Sequence, residues 1–185
     1  MGAPARGSTP ERGENAAERL LAAWARVAAL PLDGEDGLLG RPTRSLGVLR
    51  AGTSVNVVPE RAEAEVDLRF LPGTTAEELL ERVRKAAAPD AEAEALSMHA
   101  PFAARPGSRL AAAAERAVRE VRGGAARVVG LPYGTEASKY APVADCVILG
   151  PGERAVIHTD RESIRVDALT AGYRVYERLA DAMGA

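Results

Sequence analysis

The sequence is short of cysteine and aromatic residues and has no long apolar run, and each absence excludes a class of protein. Its one cysteine, Cys146, cannot form a disulfide within the chain, which favours a reducing compartment and predicts a cytoplasmic protein. Aromatic residues make up only 4% of the chain, too few for a surface that stacks nucleic-acid bases. Without a basic-then-apolar amino terminus or an apolar run that could cross a bilayer, neither secretion nor a membrane anchor is expected.

The charges are balanced and interleaved. Lysine and arginine together number 24, aspartate and glutamate 26, and the formal net charge is −2. Nucleic acids and anionic membranes select surfaces of one positive sign. We therefore expect a small-molecule substrate as the partner, with no nucleic acid and no membrane.

The first half of the chain alternates helical and strand patterns. Asn15 and Thr75 each precede a helical apolar stripe and have a glutamate three residues later, which is typical of a helix N-terminus. Between the two helices, residues 45–51 and 62–70 are predicted strands, and the second alternates strictly between apolar and charged residues. A weaker strand is predicted at residues 92–98. This order predicts an α+β lid domain over residues 1–100, with two helices on an antiparallel, ferredoxin-like sheet.

The second half, residues 101–185, predicts an α/β piece. Ser108 is the predicted cap of a third helix, and Asp167 marks the start of the last helix. Short apolar runs at 127–129 and 145–149 are predicted strands between these helices.

A glycine-rich turn follows the second apolar run and leads to a histidine. The turn is Gly150-Pro151-Gly152, and His158 is one of only two histidines in the chain. Ligands of open α/β sheets lie beyond the carboxyl ends of the strands, and a neutral imidazole can bind zinc. A lone histidine beside a turn is nonetheless more often a hydrogen-bonded loop residue than a metal ligand, so both interpretations stay open on this pattern alone.

Three sets of motifs, taken together and in order, resemble one family. This is the di-zinc amidohydrolases and metallopeptidases that include acetylornithine deacetylase, succinyl-diaminopimelate desuccinylase, aminoacylase and the G-type carboxypeptidases. The resemblance covers nearly the whole chain. The matching segments are Gly7–Ala16, Val55–Pro59 with Asp67–Arg69, and Gly134–Ala137 with Leu149–Gly152 and His158–Thr159.

The resemblance implies roles for five residues. His158 matches the last zinc ligand of the family, and no catalytic residue is assigned in this chain. Asn56 and Arg69 match lid residues that hold the carboxylate or acyl end of the substrate, whereas Gly134 and Thr135 match a loop that contacts the substrate.

Two of these residues also have plainer interpretations. Arg69 would serve equally as a solvated strand charge paired with Asp67 or Glu63, and Asn56 as an ordinary turn residue. Glu136 stands where relatives often carry aspartate or serine, so it receives no role.

The departures from the family pattern are informative. The family's His-x-Asp motif, bridging aspartate and glutamate pair precede the lid domain, whereas this sequence starts inside that domain. His99 matches no ligand, and Arg6 stands where relatives usually carry a histidine. Because catalytic zinc takes three protein ligands plus water, His158 alone cannot hold it.

The resemblance thus implies a carboxyl-terminal portion of a larger enzyme. That enzyme would hydrolyse an N-acyl amino acid or a short peptide amide with zinc or cobalt, as a homodimer or with a complementing chain. The isolated chain is expected to be inactive. The alternative is a catalytically inactive lid or dimerisation module that binds a carboxylate ligand or pairs with a full-length relative.

Overall fold

The computed structural model describes residues 1–131, 133–157 and 159–184, and it divides into two compact units, Met1–Pro101 and Phe102–Ala185. Within the described ranges, no helix is long and apolar enough to cross a membrane. The regular elements are a 3-10 helix at Pro10–Arg12, α1 at Ala16–Ala29, β1 at Thr43–Ala51, β2 at Ala62–Arg69, α2 at Ala76–Ala87, α3 at Arg109–Arg122, α4 at Ala137–Tyr140, a second 3-10 helix at Arg154–Val156, and α5 at Val166–Met183.

The sheet of the first unit is a two-stranded antiparallel ribbon. β1 and β2 pair from Thr43 opposite Arg69 to Ala51 opposite Ala62, with an irregularity between Leu46 and Val48. The period-two pattern of β2 is confirmed, because its charged residues are exposed while most of its apolar residues are half-buried. One face of the ribbon is therefore wet, and Arg69 lies on that face.

Two capped helices accompany this ribbon. Asn15 Oδ1 accepts hydrogen bonds from the backbone N–H groups of Ala17 (3.0 Å) and Glu18 (3.3 Å). Thr75 and Glu78 form a complete capping box, and the hydrogen bonds from Thr75 lower the pKa of the Glu78 carboxyl. α1 contacts α2 and both strands. The predicted α+β architecture, two helices with an antiparallel sheet, is confirmed.

The core of the first unit is small, and arginine side chains reinforce it. Ala23 and Val27 of α1 and Ala87 of α2 form the buried cluster. Arg26 donates from α1 to the backbone carbonyl oxygens of Ala86 (2.7 Å) and Ala87 (3.0 Å), which are among the last carbonyls of α2. The Ala87 carbonyl also accepts from the N–H groups of Asp90 and Ala91 (both 3.1 Å), so the guanidinium adds a favourable charge at the carboxyl end of α2.

Arg44 plays the same part for α1. Its guanidinium donates to the carbonyl oxygens of Val27 and Leu30, at the carboxyl end of that helix. The carboxyl ends of α1 and α2 are thus each capped by an arginine from another element.

The strand predicted at 92–98 is wrong, since residues 91–100 have no strand structure. Two of its four apolar residues are alanine, which buries little surface and has low β propensity. The Ala93 carbonyl accepts from Arg84 Nε (3.1 Å) instead of from another strand, and Leu96 is 76% exposed.

The second unit centres on the packing of α3 against α5. Its buried residues include Ala113, Ala114 and Ala117 of α3 and Val175 of α5. Ser108 is confirmed as the cap of α3, because its Oγ accepts from the Ala111 N–H at 2.9 Å. α5 begins one residue before the predicted Asp167, and it ends at Gly184 in the left-handed region (φ +83°).

The two strands predicted in this unit, at 127–129 and 145–149, are not formed. Both segments are described, and neither has a neighbouring strand with which to pair. The helical spacing of Leu169, Tyr176, Leu179 and Met183 predicts that these residues of α5 face inward, and this prediction is only partly right. Leu179 is half-buried, but Leu169, Tyr176 and Met183 are exposed because no described element covers them.

We predict that Arg26→Ala lowers the free energy of unfolding by about 1–3 kcal/mol. The substitution removes the charge-assisted hydrogen bonds to the carbonyls of Ala86 and Ala87 and the ion pair with Asp90 (2.7 Å). Arg50→Ala is the matched control, because Arg50 makes an exposed pair with Glu65 (3.1 Å). That pair is worth roughly 0–1 kcal/mol. Urea unfolding followed by Trp24 fluorescence measures both variants. Equal losses in the two would contradict the capping role of Arg26.

Candidate functional site

The amino-terminal segment runs antiparallel to the loop that carries Asn56. The Gly7 N–H donates to the Asn56 carbonyl (2.7 Å), and the Val58 N–H donates to the Ala5 carbonyl (2.8 Å). This bridge places Arg6 directly opposite Val57. Asn56 and Arg6 therefore lie one position apart across two hydrogen-bonded backbones, although they are 50 residues apart in the sequence.

Asn56 itself lies in a turn and is exposed. Its Oδ1 accepts from the Ser54 hydroxyl, and the Val57 N–H donates to the Ser54 carbonyl (3.2 Å). The backbone of Asn56 is therefore part of a turn, as the plainer interpretation predicts. Its Nδ2 group has no hydrogen-bond acceptor among the described residues, so two donors are available for a ligand.

Arg69 is paired on the wet face of β2. Its Nε and Nη2 both donate to Asp67 Oδ2, at 3.0 and 2.9 Å. The two side chains are 53% and 55% exposed. An exposed pair of this kind contributes roughly 0–1 kcal/mol, so a ligand carboxylate could compete with Asp67 for the guanidinium.

Gly134 and Thr135 lie immediately before α4. A side chain at Gly134 would meet no atom within 4 Å, so the backbone there is open to approach. Thr135 Oγ1 is buried without a hydrogen-bond partner in the described structure, while the Thr135 carbonyl accepts from the Ser138 hydroxyl (3.0 Å). Glu136 pairs with Lys139 (2.9 Å).

His158 lies outside the described residues, but the turn that precedes it is held against α5. The Tyr176 hydroxyl donates to the Leu149 carbonyl (2.7 Å). Gly172 faces Pro151 so closely that a Cβ atom there would lie 2.9 Å from the proline Cγ. Sequence reasoning missed this contact. A glycine in the middle of a helix was the available signal, because glycine there is unfavourable unless close packing requires it.

The structure brings some of the predicted residues together but not others. Asn56 adjoins Arg6, whereas no hydrogen bond within the described ranges joins Asn56 to Arg69. His99 is exposed, and its Nε2 lies 3.0 Å from Ser97 Oγ. Over residues 1–131, 133–157 and 159–184, no group of three or more His, Cys, Asp or Glu side chains could hold a metal ion. This part of the chain alone therefore does not fit a complete catalytic zinc site.

Comparison with known proteins identifies the family of this chain. The sequence profile of the M20 peptidase dimerisation domain matches residues 1–95. The chain belongs to this family.

A probable carboxypeptidase of Aspergillus niger is 33% identical over an alignment of 193 residues. The alignment covers 98% of this chain and 44% of the relative. A second probable carboxypeptidase, from Aspergillus flavus, is 29% identical and covers 96% of this chain and 44% of the relative. The chain thus spans less than half the length of these curated relatives.

Solved structures share the fold. The aminopeptidase PepT of Bacillus cereus superposes with a TM-score of 0.79 at 23% identity, over 100% of this chain and 50% of that one. A tripeptidase of Staphylococcus aureus gives a TM-score of 0.73 at 21% identity, over 97% of this chain and 48% of that one. The predicted fold class is therefore confirmed as a lid-like domain of helices with an antiparallel sheet that matches solved peptidase structures.

We predict that Gly172→Ala destabilises the second unit by about 1–3 kcal/mol, because the added methyl group overpacks against the proline ring. At an uncrowded position the same change in a helix would be stabilising by about 1 kcal/mol. Gly150→Ala is the control, since its methyl group meets nothing within 4 Å.

All four tyrosines lie in the second unit, so their near-ultraviolet circular dichroism follows its unfolding in urea. A stabilising Gly172→Ala change would show that the helix does not hold the turn.

Proposed function

We propose that this chain is part of a metal-dependent hydrolase that cleaves the amide bond of an N-acyl amino acid or a short peptide. Residues 1–100 would form its lid and dimerisation domain, and residues 101–185 the closing segment of its catalytic domain. The main support is that the fold similarity extends over the whole chain, across both units, with the motif segments in family order. The names of the relatives, carboxypeptidase and tripeptidase, agree with hydrolysis of short substrates that have free termini.

The lid side of the proposed site would bind the carboxylate of the substrate. A guanidinium fork pairs two-pronged with a carboxylate, and Arg69 lies exposed with only an exposed partner to displace. Asn56 would add its two free amide donors. Arg6, next to it, has no ion-pair partner in the described structure and would offer further donors to an oxyanion.

Gly134 and Thr135 of the second unit are proposed as substrate contacts as well. The open backbone at Gly134 permits close approach, and the unpaired hydroxyl of Thr135 is a hydrogen-bonding group that a bound ligand would satisfy.

His158 would be the only metal ligand from this chain, with zinc or cobalt as the metal. The chemistry that zinc would supply when bound is the activation of water for attack on an amide carbonyl. The remaining ligands and the general base would come from a segment that this chain does not include. We further propose a cytoplasmic homodimer, and acetylated or succinylated amino acids as substrates alongside short peptides.

We predict no turnover of N-acetyl amino acids or dipeptides by the purified chain with added Zn²⁺ or Co²⁺. Three protein ligands are needed for a catalytic zinc, and His158 is only one of them. A chromatographic assay of released amino acid checks this. Metal-dependent turnover by the purified chain would contradict this prediction, and turnover that survives the His158→Ala change would also contradict the proposed ligand role.

A fusion tests the substrate-binding roles. In it, this chain replaces the matching part of the Aspergillus niger relative. We predict metal-dependent hydrolysis, with Arg69→Met raising KM for carboxylate-bearing substrates about 10-fold to 100-fold, as expected for a charge-assisted hydrogen bond worth 1.5–3 kcal/mol.

Arg50→Met, on the same small sheet and also in an exposed pair, should leave KM unchanged. A fusion that folds and binds N-acetyl amino acids without hydrolysing them would favour the alternative, an inactive carboxylate-binding module. Equal KM values for the two arginine variants would remove Arg69 from the site.

A further inference from the structure

Asp67 holds the guanidinium of Arg69, and we propose that it is a positioning residue for the binding of a substrate carboxylate. Asp67 would stay on one edge of the guanidinium while the carboxylate binds the other edge, so the substrate would not have to displace it. The inference deepens the proposed function and rests on it, because it takes Arg69 to be a substrate contact.

The ion pair uses only one edge of the guanidinium. Nε and Nη2 of Arg69 both donate to a single oxygen, Asp67 Oδ2, at 3.0 and 2.9 Å. A guanidinium has five N–H donors, so two on Nη1 and one on Nη2 remain. These three have no acceptor among the residues that the structure describes. They lie on the edge between Nη1 and Nη2, which can also pair two-pronged with a carboxylate.

The side chains across the sheet from this pair are short. In the register of the ribbon, Thr43 lies opposite Arg69 and Ser45 lies opposite Asp67, and all four residues are exposed. Directly opposite residues share a face of the sheet. Neither a threonine nor a serine brings a second carboxylate to the guanidinium, so its free edge is left to a ligand.

Two effects of Asp67 on carboxylate binding oppose each other. An unpaired arginine side chain has many rotamers and loses that freedom when a ligand binds. Asp67 removes part of this cost beforehand, because it holds Arg69 from a fixed position two residues away on the same strand. Its negative charge also repels the carboxylate, but both side chains are more than half exposed, and water and salt weaken that repulsion. We therefore expect the orienting effect to be the larger one at about 0.15 M salt.

The free edge favours one class of ligand. A carboxylate accepts two parallel hydrogen bonds from a guanidinium edge, whereas a carboxamide offers one oxygen beside an N–H donor. The arrangement of Asp67 and Arg69 therefore selects substrates with a free carboxylate over their amides.

Isothermal titration calorimetry on the metal-loaded fusion with the Aspergillus niger relative tests this inference. The probe is levulinate, in which a methylene group replaces the amide nitrogen of N-acetylglycine, so it cannot be hydrolysed. We expect Asp67→Ala to weaken binding about 2-fold to 10-fold, because the ligand alone must then order Arg69. Asp67→Asn keeps an oxygen acceptor and should recover part of the loss. In the Arg69→Met background, Asp67→Ala should change the affinity no further.

Glu65→Ala is the matched control, since Glu65 pairs with Arg50 on the same strand face (3.1 Å) and should not affect binding. Far-ultraviolet circular dichroism checks that every variant folds. Tighter binding in Asp67→Ala would show that Asp67 competes with the ligand and would overturn the inference. Unchanged affinity, an equal loss in Glu65→Ala, or equal affinity of the wild type for levulinate and its amide would overturn it as well.

The same titrations separate this inference from the proposed function. Unchanged or undetectable binding in both the wild type and Arg69→Met would remove Arg69 from the site and the role of Asp67 with it. A loss in Arg69→Met without a loss in Asp67→Ala would remove only Asp67. Because levulinate binding needs no turnover, a fusion that binds it as expected but hydrolyses nothing would count against the proposed hydrolase alone.

Discussion

The first unit depends on the antiparallel pairing between the amino-terminal segment and the loop at residues 56–60. Besides the bonds at Asn56 and Val58, the Gly2 N–H donates to the Glu60 carbonyl (2.7 Å) and the Ala16 N–H to the Pro59 carbonyl (2.9 Å). The last bond satisfies a free N–H at the start of α1, so one loop both anchors the helix and presents Asn56.

Close approach of the backbones leaves no room for a side chain at two positions of this pairing. A Cβ atom at Gly2 would lie 2.1 Å from the Glu14 carbonyl oxygen, and one at Gly13 would lie 2.6 Å from that of Ala3. Glycine is required at both positions for this packing.

Local features of the fold could be predicted from the sequence, whereas long-range ones could not. Asn15, Thr75 and Ser108 cap their helices as expected, because a cap depends on the three or four residues that follow it. The strand at 62–69 was equally evident, since its alternation is unbroken. The apolar runs at 127–129 and 145–149 were wrongly predicted as strands. A strand forms only where its backbone can pair with a neighbouring strand, and the described residues provide no such partner.

The same distinction applies to the candidate site. The exposure of Arg69 followed from strand periodicity, and its pairing with Asp67 was one of two interpretations that the pattern allowed. The proximity of Arg6 to Asn56 and the fit of Pro151 against Gly172 involve residues far apart in sequence, so no local pattern predicts them. The role of His158 came from family resemblance, and it stays a prediction because that residue lies outside the described ranges.

The central claim is that this chain contributes one imidazole to a metal centre whose other ligands lie on another segment. Zinc K-edge X-ray absorption of the fusion with the Aspergillus niger relative tests it most directly. We expect imidazole ligands of the zinc in the wild-type spectrum, and one imidazole ligand fewer in the spectrum of the His158→Ala variant. Identical zinc spectra for the two proteins would contradict it.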